Sequence, residues 1–186
     1  SIPTTRYQTP PLTEYSYSNI GFGMLGLAIS RAAGVPFMDL METLIFRPLG
    51  MESTTFVLDS PDLLARMSVG YTRNRSGGIS AEQATREHFG RGYKVPNGGV
   101  YSTVHDLAAL AAALMGEGDV QILSEESRAE MFKPQAPAAG YGLGLSLSRS
   151  AGGTLFVSHG GSVAGYNAFL VFDPETKLGV SMFRTT

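Results

Sequence analysis

The feature that most constrains this chain is a change of apolar period near Tyr141. Ahead of it apolar residues recur at helical spacing; after it they alternate or run in short blocks between turn residues, the mark of strands. From Asn19 to Ala33, Ile20, Met24, Leu25, Leu27, Ala28 and Ile29 fall mainly on one helical face, with Ser18 or Asn19 as cap and Gly34 as a left-handed stop. Pro36 takes the first position of a second helix, whose stripe is Phe37, Leu40, Met41, Leu44 and Ile45 and which ends before Pro48. These two helices are expected to pack together. Ser60-Pro61 starts a shorter helix, Thr103 with Asp106 has the form of a capping box opening a helix to about Met115, and Ser124 starts one more, stopped before Pro134. Residues 70–102 show no sustained period and read as a long surface segment.

Beyond Tyr141, Leu143, Leu145 and Leu147 alternate, and Leu155-Phe156-Val157, Phe169 to Phe172 and Leu178 to Phe183 follow as further strands. Ala151-Gly152-Gly153 and Asp173 to Thr176 supply hairpin connections. The expectation is an α+β arrangement: residues 1–140 mostly helical with a long loop at 70–102, and residues 141–186 an antiparallel meander. Such a sheet needs cover for its apolar face, and nothing after Thr186 is at hand to give it.

Bulk properties narrow the function classes. An apolar content of 43% in 186 residues is enough for a core, while 16% charged residues and a net charge of −2 leave no electrostatic footprint for nucleic acid. The absence of cysteine excludes disulfides, thiolate zinc sites and a cysteine nucleophile, and leaves the compartment open. No apolar run approaches the about eighteen residues of a membrane span, and Ser1-Ile2-Pro3 does not open a basic-then-apolar leader. No His-Glu-Xaa-Xaa-His or carboxylate cluster points to a metal, and no cofactor is expected.

Chemistry concentrates near the two ends, in Tyr17-Ser18-Asn19 and His159-Gly160-Gly161. Four stretches follow one another in order: Tyr15-Ser16-Tyr17-Ser18-Asn19-Ile20-Gly21-Phe22-Gly23, Phe46-Arg47-Pro48-Leu49-Gly50-Met51, Pro96-Asn97-Gly98-Gly99-Val100-Tyr101-Ser102-Thr103 with Asp106, and Ser158 to Tyr166. Together they resemble the middle and C-terminal part of the serine β-lactamase-like family, which includes class C β-lactamases, D-Ala-D-Ala peptidases and related esterases. The resemblance implies one incomplete domain of that fold over residues 1–186. It implies an upstream nucleophile segment carrying Ser-Xaa-Xaa-Lys, and a helix after the last strand. No Ser-Xaa-Xaa-Lys occurs here, because Lys94, Lys133 and Lys177 are preceded three positions earlier by Arg91, Glu130 and Pro174.

The resemblance also implies roles. Tyr17 matches the tyrosine that, with the upstream lysine, takes the serine proton and later protonates the leaving group; by itself it reads as a tyrosine packed at a helix start. Asn19 reads as an amide that binds a substrate carbonyl and the catalytic lysine, as a helix cap, or as both. His159, following the apolar strand Leu155 to Ser158, stands where the antibiotic-hydrolysing members have a lysine, which points to the esterase and peptidase-like branches. Gly160 and Gly161 let a substrate backbone come close, and the Ser162 N–H is one half of an oxyanion hole. Gly98-Gly99 and Tyr101 read as a cleft wall, and Gly142-Leu143-Gly144 as a close-packed strand start. His88 and His105 read as solvated. Arg73, Arg75, Arg86, Arg91 and Lys94, offset by Glu82 and Glu87, attract a substrate carboxylate or are simply solvated charges.

The resulting expectation is part of a serine hydrolase acting through an acyl-enzyme on an ester, amide or β-lactam carbonyl. Its nucleophile comes from a missing N-terminal segment of the same protein or from a companion chain. The isolated chain is expected to be inactive and to associate through exposed sheet edges. The alternative is a non-catalytic relative that binds a peptide or partner. The resemblance implies a periplasmic or extracellular setting, with the cytoplasm left open.

Overall fold

The computed structural model describes residues 6, 9–10, 13–74, 76–136 and 140–185. Arg75, Thr186 and the Ser1-Ile2-Pro3 start lie outside the described residues. The helical part begins with α1 (Asn19–Ala33) and α2 (Phe37–Met41), which runs on into a π-helical turn, Glu42–Phe46. Next come α3 (Pro61–Arg66), the short hairpin β1 (Thr72–Arg73) and β2 (Ile79–Ser80), α4 (Glu82–Glu87), a 3-10 turn (Gly92–Asn97), α5 (Val104–Met115) and α6 (Glu125–Met131).

The caps follow local chemistry. Ser18, Ser60, Thr103 and Ser124 each turn a side-chain oxygen onto an orphan N–H of the first turn, at 2.9, 3.2, 3.2 and 3.1 Å. Pro36 stands one position earlier than expected, as the cap residue of α2 with an extended ψ of 144°, rather than as the first helical residue. The stretch 70–102 is not irregular: it holds β1, β2, α4 and the 3-10 turn. Elements this short complete at most two helical turns or one strand alternation, so no period accumulates in the sequence.

The sheet is an antiparallel meander, β3 (Ser146–Arg149), β4 (Leu155–Val163), β5 (Tyr166–Asp173) and β6 (Leu178–Thr185), with strands adjacent in chain order. Strand structure starts at Ser146 rather than at Leu143, because Gly142 to Leu145 form a turn with Gly144 at φ 79°. β4 runs on past Ser158 to Val163, pairing Gly160 with Phe169 and Gly161 with Ala168, so His159 lies inside a strand rather than at its end. The two-residue turn Ala164-Gly165 has both φ values positive, 51° and 85°, the geometry a tight hairpin demands.

One face of the sheet is the core. Val157, Leu170 and Phe172 pack with Leu145 against Ala111, Leu114 and Met115 of α5, and Phe132 after α6 meets Phe172 edge-on at 5.8 Å. Cover for this face therefore comes from the chain's own helices. The other face leaves Phe156, Phe169, Val180 and Met182 exposed. α1 also departs from expectation: its buried residues are Gly23 and Gly26, while Met24, Leu25 and Leu27 are exposed. The two glycines are what bring α1 down onto the 3-10 turn, since a Cβ at Gly26 would overlap Pro96 and one at Gly23 would sit 2.9 Å from the Tyr93 carbonyl. Packing of α1 on α2 is local, with Phe37 next to Gly26. No single helix among the described residues is long and apolar enough to cross a membrane.

Candidate active site

Tyr17 sits two residues ahead of α1 and is 52% exposed. Because Ser18 is the cap, Asn19 occupies the first helical position and its amide is not spent on capping. The Asn19 backbone carbonyl accepts a hydrogen bond from Asn97 Nδ2 at 3.1 Å, which fastens the start of α1 to the 3-10 turn. Phe22, one turn further along α1, lies against the turn at Gly144.

The link from this helix to the sheet is Tyr141. Its ring lies 5.2 Å from that of Tyr15 and 6.2 Å, edge-on, from that of Tyr17. Its backbone forms an antiparallel bridge with Ser146, which pairs with Ser158, the residue before His159. Contacts thus run from Tyr17 through Tyr141 and Ser146 to β4. Burial, reinforced by Tyr15 and Tyr17, pushes the Tyr141 phenol up to about 12.

His159 pairs with Leu170 and shares the sheet face of Val157 and Phe172, the face that α5 covers. It is half-buried, and burial holds its imidazole below the usual histidine range, so it is an uncharged hydrogen-bond donor at neutral pH. Gly161 shares that face by alternation, whereas Ser158, Gly160 and Ser162 point to the other. β3 stops opposite Ser158, so among the described residues β4 has a strand neighbour on only one side from His159 to Val163. Among the described residues that stretch is an open strand edge.

A cleft of about 660 Å³ adjoins the end of this edge, lined by Tyr71, Thr72, Arg73, Gln83 and the turn from Ser162 to Gly165. Of the candidate residues it includes Ser162; Tyr17, Asn19 and His159 lie outside its lining. Gly165 lets the backbone of Tyr71 approach where a Cβ would be 2.4 Å from it, so the β1 strap and the β4–β5 turn fit closely. Arg73 contributes a cation to this wall, whereas Arg86 pairs with Glu82 and Arg91 stands 2.8 Å from Glu87.

Two histidine expectations separate. His105 is exposed on α5. His88 is not a solvated surface residue: its Nε2 is 3.2 Å from the Tyr166 hydroxyl and its ring meets Tyr101 edge-on, because α4 lays it against the sheet. Tyr101 faces inward, donating to the Glu87 carbonyl, and is not part of the cleft lining. Tyr141 and Tyr15 were missed as site neighbours; the only local signal was that Tyr141 precedes the Gly142-Leu143-Gly144 turn. Among the described residues no group of three or more His, Asp or Glu is arranged to hold a metal.

The fold agrees with that of known proteins. The sequence model of the Beta-lactamase family matches residues 2–186, and the chain belongs to that family. It is 29% identical to Beta-lactamase-like protein 4 of Dictyostelium discoideum, over 91% of this chain and 32% of that protein. It is 35% identical to the D-alanyl-D-alanine-carboxypeptidase/endopeptidase AmpH of Escherichia coli K12, over 57% of this chain and 24% of that one. The chain thus spans a third or less of the length of these curated relatives. Among solved structures, the D-amino acid amidase from Ochrobactrum anthropi superposes with a TM-score of 0.76 at 27% identity, over 96% of this chain and 52% of the amidase. The octameric penicillin-binding protein homologue from Pyrococcus abyssi gives 0.76 at 25%, over 96% and 40%. The fold is the β-lactamase and penicillin-binding-protein fold, and the proteins the chain resembles include a D-alanyl-D-alanine-carboxypeptidase/endopeptidase and a D-amino acid amidase.

Proposed function

We propose that this chain is the middle and C-terminal part of a serine hydrolase that works through an acyl-enzyme on an ester, amide or β-lactam carbonyl. The observation that carries the reading is the open edge of β4 from His159 to Val163, bordered by the Tyr17–Tyr141 contact on one side and the Ser162 cleft on the other. An extended substrate pairs with such an edge through its backbone, which sets its carbonyl beside the Ser162 N–H. Gly160 and Gly161 keep the approach clear. His159 donates an uncharged hydrogen bond to the substrate, and the Asn19 amide, free of capping duty, holds a substrate carbonyl.

The nucleophile in this reading is the serine of a Ser-Xaa-Xaa-Lys segment on polypeptide outside these 186 residues, in the same protein or in a companion chain. Its hydroxyl oxygen bonds to the carbonyl carbon while Tyr17, with that lysine, takes the proton. Tyr17 then returns it to the leaving group, and water releases the acyl group by the reverse of the same steps. Arg73 on the cleft wall favours substrates that carry a carboxylate.

The test is intact mass spectrometry of the protein encoded by the complete reading frame after treatment with a fluorophosphonate or a penicillin. A covalent adduct on a serine of Ser-Xaa-Xaa-Lys, lost in a Tyr17→Phe variant, is the expected result. An unmodified protein would leave the competing reading, a non-catalytic binder using the same cleft. The 186-residue chain by itself is expected to leave both probes unreacted.

A further inference from the structure

Tyr141 is the one phenol among the described residues whose hydroxyl is buried without a hydrogen-bond partner. A buried, unpaired hydroxyl is costly, and phenylalanine would fill the same space without that cost. The residue is also held firmly. Its carbonyl accepts from the Gln135 N–H at 3.0 Å, its backbone bridges Ser146, and the next two residues press on the end of α6, with Leu143 N–H donating to the Met131 carbonyl at 3.1 Å. Gly142 is required there, since a Cβ would stand 2.0 Å from that carbonyl. The fold thus holds the Tyr141 ring, on a rigid backbone, 6.2 Å from the Tyr17 ring and edge-on to it, with its hydroxyl buried and unpaired among the described residues.

We propose that Tyr141 is a positioning residue for Tyr17: its ring fixes the Tyr17 ring edge-on, and its water-shielded hydroxyl is a donor held in reserve for the negative charge that passes through Tyr17 during acyl transfer. The inference rests on the hydrolase reading above and deepens it. No proton leaves Tyr141 in this role. The groups acting on its phenol electrostatically are Tyr15 and Tyr17, and with burial they keep it protonated across the working pH range. It therefore stays a donor and never competes with Tyr17 as a base. A dry dipole beside a charge that appears only during reaction is worth more than the same dipole in water, which explains why an unpaired hydroxyl is kept here.

The test uses the protein of the complete reading frame with Tyr141→Phe, Tyr141→Leu and, as reference, Tyr17→Phe. Ester hydrolysis is followed across pH, together with acylation by a fluorophosphonate and thermal melting. Tyr141→Phe is expected to melt at or above the parent temperature, because an unpaired polar group is gone. It should lower kcat about tenfold with KM kept, and move the acid limb of the pH profile to higher pH. Tyr141→Leu, which also removes the ring wall, should lower kcat about a hundredfold. Parental kcat and pH profile in Tyr141→Phe, or a kcat loss that merely follows a fall in melting temperature, would overturn the assignment of Tyr141 while leaving the hydrolase reading intact. If Tyr17→Phe keeps full acylation, the role of Tyr17 itself fails, and the Tyr141 proposal with it.

Discussion

The two faces of the meander are made by the same four strands, yet they differ sharply. On one, Val157 and Phe172 are 0% and 1% exposed beneath α5; on the other, Val180 and Met182 are 61% and 55% exposed. Both faces are apolar, so hydrophobicity does not by itself choose the core. The choice is made by where α5 lands, and polar ties at both its ends fix that placement. The Ser181 hydroxyl donates to the Val104 carbonyl at 3.0 Å at one end, and the Lys177 ammonium donates to the Met115 carbonyl at the other. The covered face also carries His159 at its margin, while Gly160 and Ser162 of the same strand point to the other face. The open face carries an apolar row of the kind that marks an association surface.

The largest contrast between the faces is expected at Phe172. Phe172→Ala is expected to cost about 4 kcal/mol in chemical denaturation, whereas Phe169→Ala, on the same strand but the open face, should cost about 1 kcal/mol. Equal losses would show that the two faces are equally packed. Asp106 comes next. Its buried carboxylate accepts from the Ser53 N–H and the Thr54 hydroxyl, each at 2.8 Å, and so ties α5 to the segment after the π-helical turn. Asp106→Ala removes the partner of the Ser53 N–H and leaves the Thr54 hydroxyl only Ser102, and should cost about 3 kcal/mol, measured the same way.

The covered face also responds to pH. Burial lowers the His159 pKa in the fold, so below about pH 6.5 the unfolded chain binds a proton that the folded chain resists. Stability from this group is fully present above that pH and falls as pH drops towards the lowered folded value. His159→Gln should flatten part of the slope in urea denaturation midpoints below about pH 7, and an unchanged slope would exclude burial of the imidazole. The smallest effect belongs to the open face: Val180→Thr with Met182→Gln should change stability by no more than about 0.5 kcal/mol each while reducing self-association in sedimentation.

Some elements were readable because their causes are local. Ser18, Ser60, Thr103 and Ser124 cap helices through their own first turns, so spacing alone located those starts. Asp106 shows the limit of such reading. The Thr103 half of the capping box forms, yet the Asp106 carboxylate turns away to Ser53 and Thr54, more than fifty positions earlier. Likewise Tyr17 and His159 were chosen by motif, but the bridge between their elements through Tyr141 depends on a turn pinned by α6, which no local pattern announces. His88 was misread for the same reason: its partner Tyr166 is on a distant strand.

The order of helices then strands, two of the three hairpin turns of the four-stranded sheet, most helix starts and the family were legible along the chain, since each follows from neighbours in sequence or from motifs in fixed order. Which sheet face is buried, that β4 continues through the double glycine with an open edge, and that the Tyr141 ring packs edge-on beside Tyr17 came only with the three-dimensional packing. Those outcomes arise from contacts between residues far apart in sequence, where the free energy depends on which surfaces meet and not on the composition of either one.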